Sequence, residues 1–525
     1  MKKLLLLLLL ASAAFLAGAD YNAEGKRWWA HIENLANDSM EGRNTGSPGH
    51  LKAARYIANE FERAGLKPAG TGGGYLQPVE FDVKQLDERN SQVMLVRHGA
   101  MEPLTLGEDA NLSSRGVEGD GDINAAAVFV GYGLTVPEKS YDDLAGLDLK
   151  GKIAVMLAGG PKMASALRAH YSSAGERWKF LKAAGVIGIV TIPNPKSMDI
   201  PWSRQALART MPSMVLSDPS LIETQGQRFL MTFNPERADK LFADTGHTIA
   251  ELLDDADHNR PLPHFPLKVA IRAHTTLQQS KVESQNVVAV LRGTDLKDEY
   301  VVLSAHLDHV GVGQPINGDS IYNGAMDDAS GIATILEVAR HMHDSHVKLR
   351  RSVLFLAVTG EEKGLQGSKY FAAHPTVTGD LVADINLDMF LPLHALRYLE
   401  VQGLDESTLG DDIRAIAAAA HVEVQADKEP NRNLFIRSDQ YNFIRKGVPS
   451  LAFKFGYLPG SPEEKLHKDW LKNRYHAPSD DLNQPVDKAA AARFNEIILK
   501  LAERVASSDK RPVWKPNSFF RRFAD

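Results

Sequence analysis

The stretch Tyr300–Gly331 limits what this 525-residue chain can fold into more than any other. It opens on Y-V-V-L-S-A-H-L-D-H-V-G, an apolar run that is continuous rather than alternating, and so reads as a strand of a parallel sheet buried on both faces. The run stops at His306-x-Asp308, and ligands gather at such carboxyl ends. The stretch closes on N-G-A-M-D-D-A-S-G, which sets Asp327 and Asp328 just ahead of a helix whose Ile332, Ile335, Leu336 and Ala339 would pack back on the sheet.

Two later stretches repeat the arrangement. Arg351 to Gly360 runs directly into Glu361-Glu362, Ala383 to Asp388 ends in a carboxylate, and Tyr475-His476 supplies one more histidine. The set His306, Asp327, Glu362, Asp388 and His476 is larger than one tetrahedral zinc with an open position requires. Two metal ions sharing a bridging carboxylate would use all of it. Strand alternation puts Asp308 on the same side as His306, which suits a carboxylate orienting a metal-bound imidazole.

These residues sit in motifs that follow one another in a fixed order: H-L-D-H, G-A-M-D-D-A-S-G, T-G-E-E-K-G-L-Q-G-S, N-L-D-M, S-D-Q-Y-N-F with G-V-P-S, and Y-H-A-P-S-D-D. On them the chain resembles the co-catalytic di-zinc peptidases that include secreted bacterial aminopeptidases and the glutamate carboxypeptidases, from about Asn34 to about Val505. The resemblance implies Asp327 as the bridge, Asp388 completing the His306 metal, and Glu362 with His476 completing the other. It implies Glu361 as the general base for a water bridging the metals, later protonating the leaving amine. Tyr475 would donate to the oxyanion, and the Asp327-Asp328 peptide would be cis. Zinc suits the ligand mix, with cobalt or manganese as substitutes. An exopeptidase follows, an aminopeptidase ahead of a carboxypeptidase, then a glutaminyl-cyclase-like acyltransferase or a non-catalytic binding relative. Neither H-E-x-x-H nor G-x-S-x-G occurs.

The expected fold class is α/β: a zinc-peptidase α/β sandwich with a mixed, mainly parallel central sheet, plus a smaller inserted β-rich domain. Residues 1–19 read as a signal peptide, 20–116 as the first part of the peptidase domain, 117–270 as the insert and its return, 271–508 as the catalytic domain and 509–525 as a tail. The leader reading rests on Lys2-Lys3, the run Leu4–Leu10 and the small-residue site Ala17-Gly18-Ala19, and implies export to a periplasm or beyond the cell. Ala125–Gly133, Leu149–Leu157 and Trp178–Pro193 resemble the protease-associated domain inserted in this family, and Phe229–Gln279 reads as a polar, proline-punctuated return.

The formal charge of −6, which loss of Lys2 and Lys3 would take to −8, gives no reason to expect a nucleic-acid partner or, after leader removal, a membrane partner. A peptide is the expected partner. Without any cysteine the chain relies on its cores and metals for stability. Other polar residues take structural readings: His309 as local structure, His341, His343 and His346 as a polar helix end, and Glu41 and Arg43 as a loop under the catalytic domain. Arg432 and Arg437 serve loop structure or a substrate carboxylate, and Ser438-Asp439 caps a helix.

Overall fold

The computed structural model describes residues 20–115, 121–432 and 434–524, so the leader reading falls outside the described residues. Its larger sheet has ten strands, and at its centre Arg351–Val358, Leu296–His306, Asp380–Asn386 and Ser450–Gly456 lie side by side and parallel. Leu277–Leu291 and then Leu76–Leu86 extend it antiparallel on one side, as Tyr398–Gln402 does on the other. Parallel neighbours end at the same edge. His306, the Glu361-Glu362 loop and Asp388 therefore emerge together.

Period-two alternation divides each strand between two layers. Val301, Leu303 and Ala305 face a core shared with the helices Tyr21–Leu35, Pro48–Arg63, Ser330–Asp344 and Lys488–Ser507. Tyr300 and Val302 face the opposite core, under Gln366–Ala373 and Gln440–Ile444. Val301, Val302 and Leu303 are fully buried, each contributing about 1.5–3 kcal/mol. Helix Pro48–Arg63 presents Ala53, Ala54, Ile57 and Phe61 to the core; the Ser47 side chain accepts from the His50 N–H, proline sits in its first turn, and Gly65 (φ 66°) stops it. Helix Tyr21–Leu35, capped by Asp20, had no counterpart in the sequence reading.

A second sheet of eight strands has its own core, built around Phe129, Val155, Val190, Met231 and Ile271. It begins at Gln92–Arg97, N-terminal to the start at 117 expected for the insert, and ends with His264–Thr275. The stretch expected as a polar return contains the strand Phe229–Phe233, paired parallel with Gly188–Ile192. Its alternating burial is clear only once its neighbours are known, because Phe-Leu-Met-Thr-Phe is apolar at every position but one. Between these strands the chain returns to the larger sheet as Ser213–Leu216, paired with Leu76–Leu86. Among the described residues no helix is long and apolar enough to cross a membrane.

Candidate metal centre

His306 is the last residue of its strand and is buried. Its Nδ1 lies 3.0 Å from the Asp308 carbonyl oxygen, which aims Nε2 at Asp327 Oδ1 (3.1 Å) and Asp388 Oδ1 (3.5 Å). The ring is thus oriented by the backbone of Asp308; the carboxylate, 3.9 Å away, instead accepts from the Thr45 hydroxyl (2.8 Å) and the Glu361 N–H (3.1 Å). Asp308 couples the histidine to the glutamate loop.

Asp327 lies between two imidazoles. Its Oδ1 faces His306, while Oδ2 is 3.3 Å from His476 Nε2, which is also 3.2 Å from Glu362 Oε2. Two cups thus share one carboxylate. The Asp327-Asp328 bond is cis. Asp480 accepts from the Met326 and Asp327 N–H groups, and Asp328 accepts from those of His306, Gly331 and Met389, which ties the Asp327 loop to both neighbouring strand ends. With both oxygens so engaged, Asp328 positions this edge although it lies close to His306 and Asp388. Close packing requires glycine at Gly331, where a Cβ would meet the Leu387 carbonyl oxygen at 1.8 Å.

His309, read from sequence as local structure, belongs to the second cup. It is fully buried, its Nδ1 lies 2.8 Å from Glu362 Oε1 and 3.8 Å from Asp327 Oδ2, and its ring meets that of His476 edge-on. The overlooked signal was its place three residues past His306, beyond the strand end, where alternation no longer predicts direction. It also packs over Gly324 (φ 65°), where a Cβ would meet its ring at 2.5 Å.

His306 Nε2, both ring nitrogens of His309, and Glu362 Oε1 are buried without a hydrogen-bond partner. Basic nitrogens and carboxylate oxygens that approach closely without hydrogen-bonding are a donor set directed at a common centre. The set of imidazoles and carboxylates fits zinc. Another cluster, Glu24, Glu337 and His341, is filled by the Arg340 guanidinium, 2.7 Å and 2.8 Å from the two glutamates.

Glu361 and Glu362 occupy a turn beyond Val358, not an extension of the strand. They still diverge: Glu362 faces the two histidines, whereas Glu361 lines a small cavity with Asp327, Asp388, Tyr475, Arg437 and Lys454. Burial, with Glu362 and Asp388 nearby, pushes the Glu361 carboxyl well above the usual range against the pull of His306. Burial and the charge of Asp327 keep the Tyr475 hydroxyl protonated, and its ring lies 4.0 Å from that of His476, tilted by 34°. His476 itself is a non-glycine residue at φ 50°.

Asp439 precedes the helix Gln440–Ile444 without capping it by its side chain. The expected cap is replaced because the carboxylate turns inward to accept from the Ser368 hydroxyl. Arg432 and Arg437 both pair with Asp199 from across the cleft. Beneath the site Asp384 accepts from Ser304 Oγ (2.7 Å), while its other oxygen is buried and unpartnered. Burial raises its carboxyl from 3.8 to about 8. From about pH 4 to 8 the unfolded chain releases this proton while the folded one keeps it, so stability falls as pH rises. Asp384→Asn removes that loss. Unfolding free energies from denaturant titration should match those of the parent near pH 4.5 and exceed them near pH 8.5 by about 2–5 kcal/mol; parallel profiles would refute the assignment.

Residues 286–502 match the model of peptidase family M28. The matched segment carries every residue of the two cups. A probable zinc metalloprotease of Pyrenophora teres f. teres is 38% identical over 109 residues, covering 21% of this chain and 23% of that protein. A glutamate carboxypeptidase 2 homolog of Caenorhabditis briggsae is 23% identical over 479 residues, covering 78% of this chain and 56% of its own. The chain thus spans from 23% to 56% of the length of these relatives. The solved aminopeptidase from Aneurinibacillus sp. strain AM-1 shares the fold over 94% of this chain and 96% of that one, at 20% identity and a TM-score of 0.56.

Proposed function

We propose that the chain is an exported zinc-dependent aminopeptidase of bacterial type that holds two divalent ions. The observation carrying this reading is Asp327, whose two oxygens face His306 and His476 separately. His306, Asp388 and Asp327 would hold one ion, and His476, Glu362 and Asp327 the other, with His309 alongside. Bound ions of this kind supply Lewis acidity to the scissile carbonyl and lower the pKa of water.

The chain's own residues do the rest. Glu361, free of side-chain hydrogen bonds among the described residues, takes the proton of the attacking water and delivers it to the leaving amine. Tyr475, which stays protonated, donates to the developing oxyanion. The second sheet carries what we infer to be a protease-associated domain, which roofs the cleft; Asp199 reaches down from it to Arg432 and Arg437. Carboxypeptidase activity is the second reading, favoured by Arg437 and Lys454 in the cavity beside Glu361.

One peptide, assayed on zinc-reconstituted protein with free termini, N-acetylated and C-amidated, separates the two. An aminopeptidase loses at least about 10²-fold of kcat/KM on acetylation and keeps its kcat on amidation; the reverse pattern would establish the carboxypeptidase. Metal analysis at saturation should approach two ions per chain, and a plateau at one would refute the shared bridge.

A further inference from the structure

Two larger cavities open between the second sheet's domain and the catalytic core. One, of about 520 Å³, runs past Tyr475 and His476. The other, of about 490 Å³, lies behind the loop that follows Glu362 and is lined by Arg115, Arg177, Lys369, Arg432, Arg437 and Arg445. Glu223 is the one acidic side chain in its lining among the described residues, and Lys369 and Arg445 already share it at 2.5 Å and 2.6 Å. Arg432 and Arg437 share Asp199, and Arg432 also holds Glu429 (2.6 Å).

Arg177 has no such partner among the described residues. Its Nε is buried without a hydrogen bond, as is Ser172 Oγ in the same wall. Burial pulls its guanidinium down to about 10, with Asp143 the one carboxylate charge opposing that. A half-buried cation whose Nε is buried and unpaired, facing open volume rather than a carboxylate, calls for an anion. Arginine's planar fork suits a carboxylate in particular. Arg437 lines this cavity, the 520 Å³ one and the small pocket holding Glu361 and Asp388, so the basic volume adjoins the cups at Arg437.

We propose that the basic cavity binds a carboxylate of the peptide substrate beyond the scissile bond, selecting short acidic peptides. The substrate rests on the peptidase reading; the carboxylate chemistry does not. Glutarate, which has no bond to cleave, tests the chemistry by calorimetric titration into the zinc-loaded full chain. Binding should saturate at about one per chain, weaken at least about 10-fold in Arg177→Gln, recover largely in Arg177→Lys, and be absent for glutaramide. No saturable binding, or binding indifferent to Arg177, overturns the site. Peptides Ala-Ala-Glu, Ala-Ala-Gln and Ala-Ala-Gln-amide test the substrate. KM should rise at the Glu-to-Gln step, and Arg177→Gln should remove that rise, the change falling in KM rather than kcat; a KM that rises only on amidation overturns the selection of acidic peptides. An even series in the parent overturns the substrate role. If no peptide is cleaved although glutarate binding depends on Arg177, the peptidase reading and the substrate role fall while the carboxylate site stands.

Discussion

Glu361→Gln should lower turnover by about 10²–10⁴-fold while metal content stays near two ions per chain. The amide keeps the size of the side chain but cannot take a proton, and Glu361 makes no ion pair in either cup. Glu362→Gln should do the opposite. It removes the anionic oxygens at 2.8 Å from His309 and 3.2 Å from His476, so one ion binds weakly and activity partly returns with added zinc. Metal content and turnover, measured together on both variants, decide the matter. If Glu361→Gln sheds metal while Glu362→Gln retains both ions, the roles are reversed; two fully active variants would refute the mechanism.

Arg43→Ala should produce the largest loss of stability, about 3–5 kcal/mol. The guanidinium is 1% exposed and donates to the carbonyl oxygens of Leu35, Leu307, Asn323 and Gly324 at 2.6–2.9 Å. Leu307 lies between His306 and Asp308, and Asn323-Gly324 leads into the Asp327 loop, so one side chain fastens both loops of the metal centre. Burial lowers its pKa to about 10, against the charges of Asp480, Asp308, Asp328 and Asp327. Alanine leaves the carbonyls of Leu35, Leu307 and Asn323 without the guanidinium and that of Gly324 with only the Ala329 N–H at 3.3 Å, and Arg43→Lys, lacking the fork, should recover less than half of the loss. Denaturant midpoints of the metal-free variants measure both; a change below about 1 kcal/mol in Arg43→Ala would show these bonds to be dispensable.

The two central strands Tyr300–His306 and Val353–Val358 were legible because each is a nearly continuous apolar run that leads into polar residues, a local pattern tied to parallel sheets. Their topology follows from that pattern. What sequence could not settle is which sheet a short alternating strand joins: Gln92–Arg97 reads equally well in either, and only its pairing with Ala270–His274 assigns it to the second. Direction beyond a strand end was equally hidden. His306 could be aimed by alternation, whereas His309 could not, and its place in the second cup depends on Gly324 leaving room for the ring. Asp439 carried the signature of a helix cap, yet Ser368, distant in sequence, supplies the donor that turns it inward. Local rules lose to long-range partners at such positions.

The return of Ser213–Leu216 to the larger sheet makes the two lobes a woven article rather than a bolted one. The backbone passes between them four times, after Leu86, Ile192, Leu216 and Thr275, and the two middle passages leave an edge strand of the catalytic lobe in the hands of its neighbour. Excising the roof would unravel that edge, and transplanting it would carry away part of the host. Descent with change in this architecture therefore proceeds by altering loops and cavity walls in place, since the lobe cannot be exchanged whole.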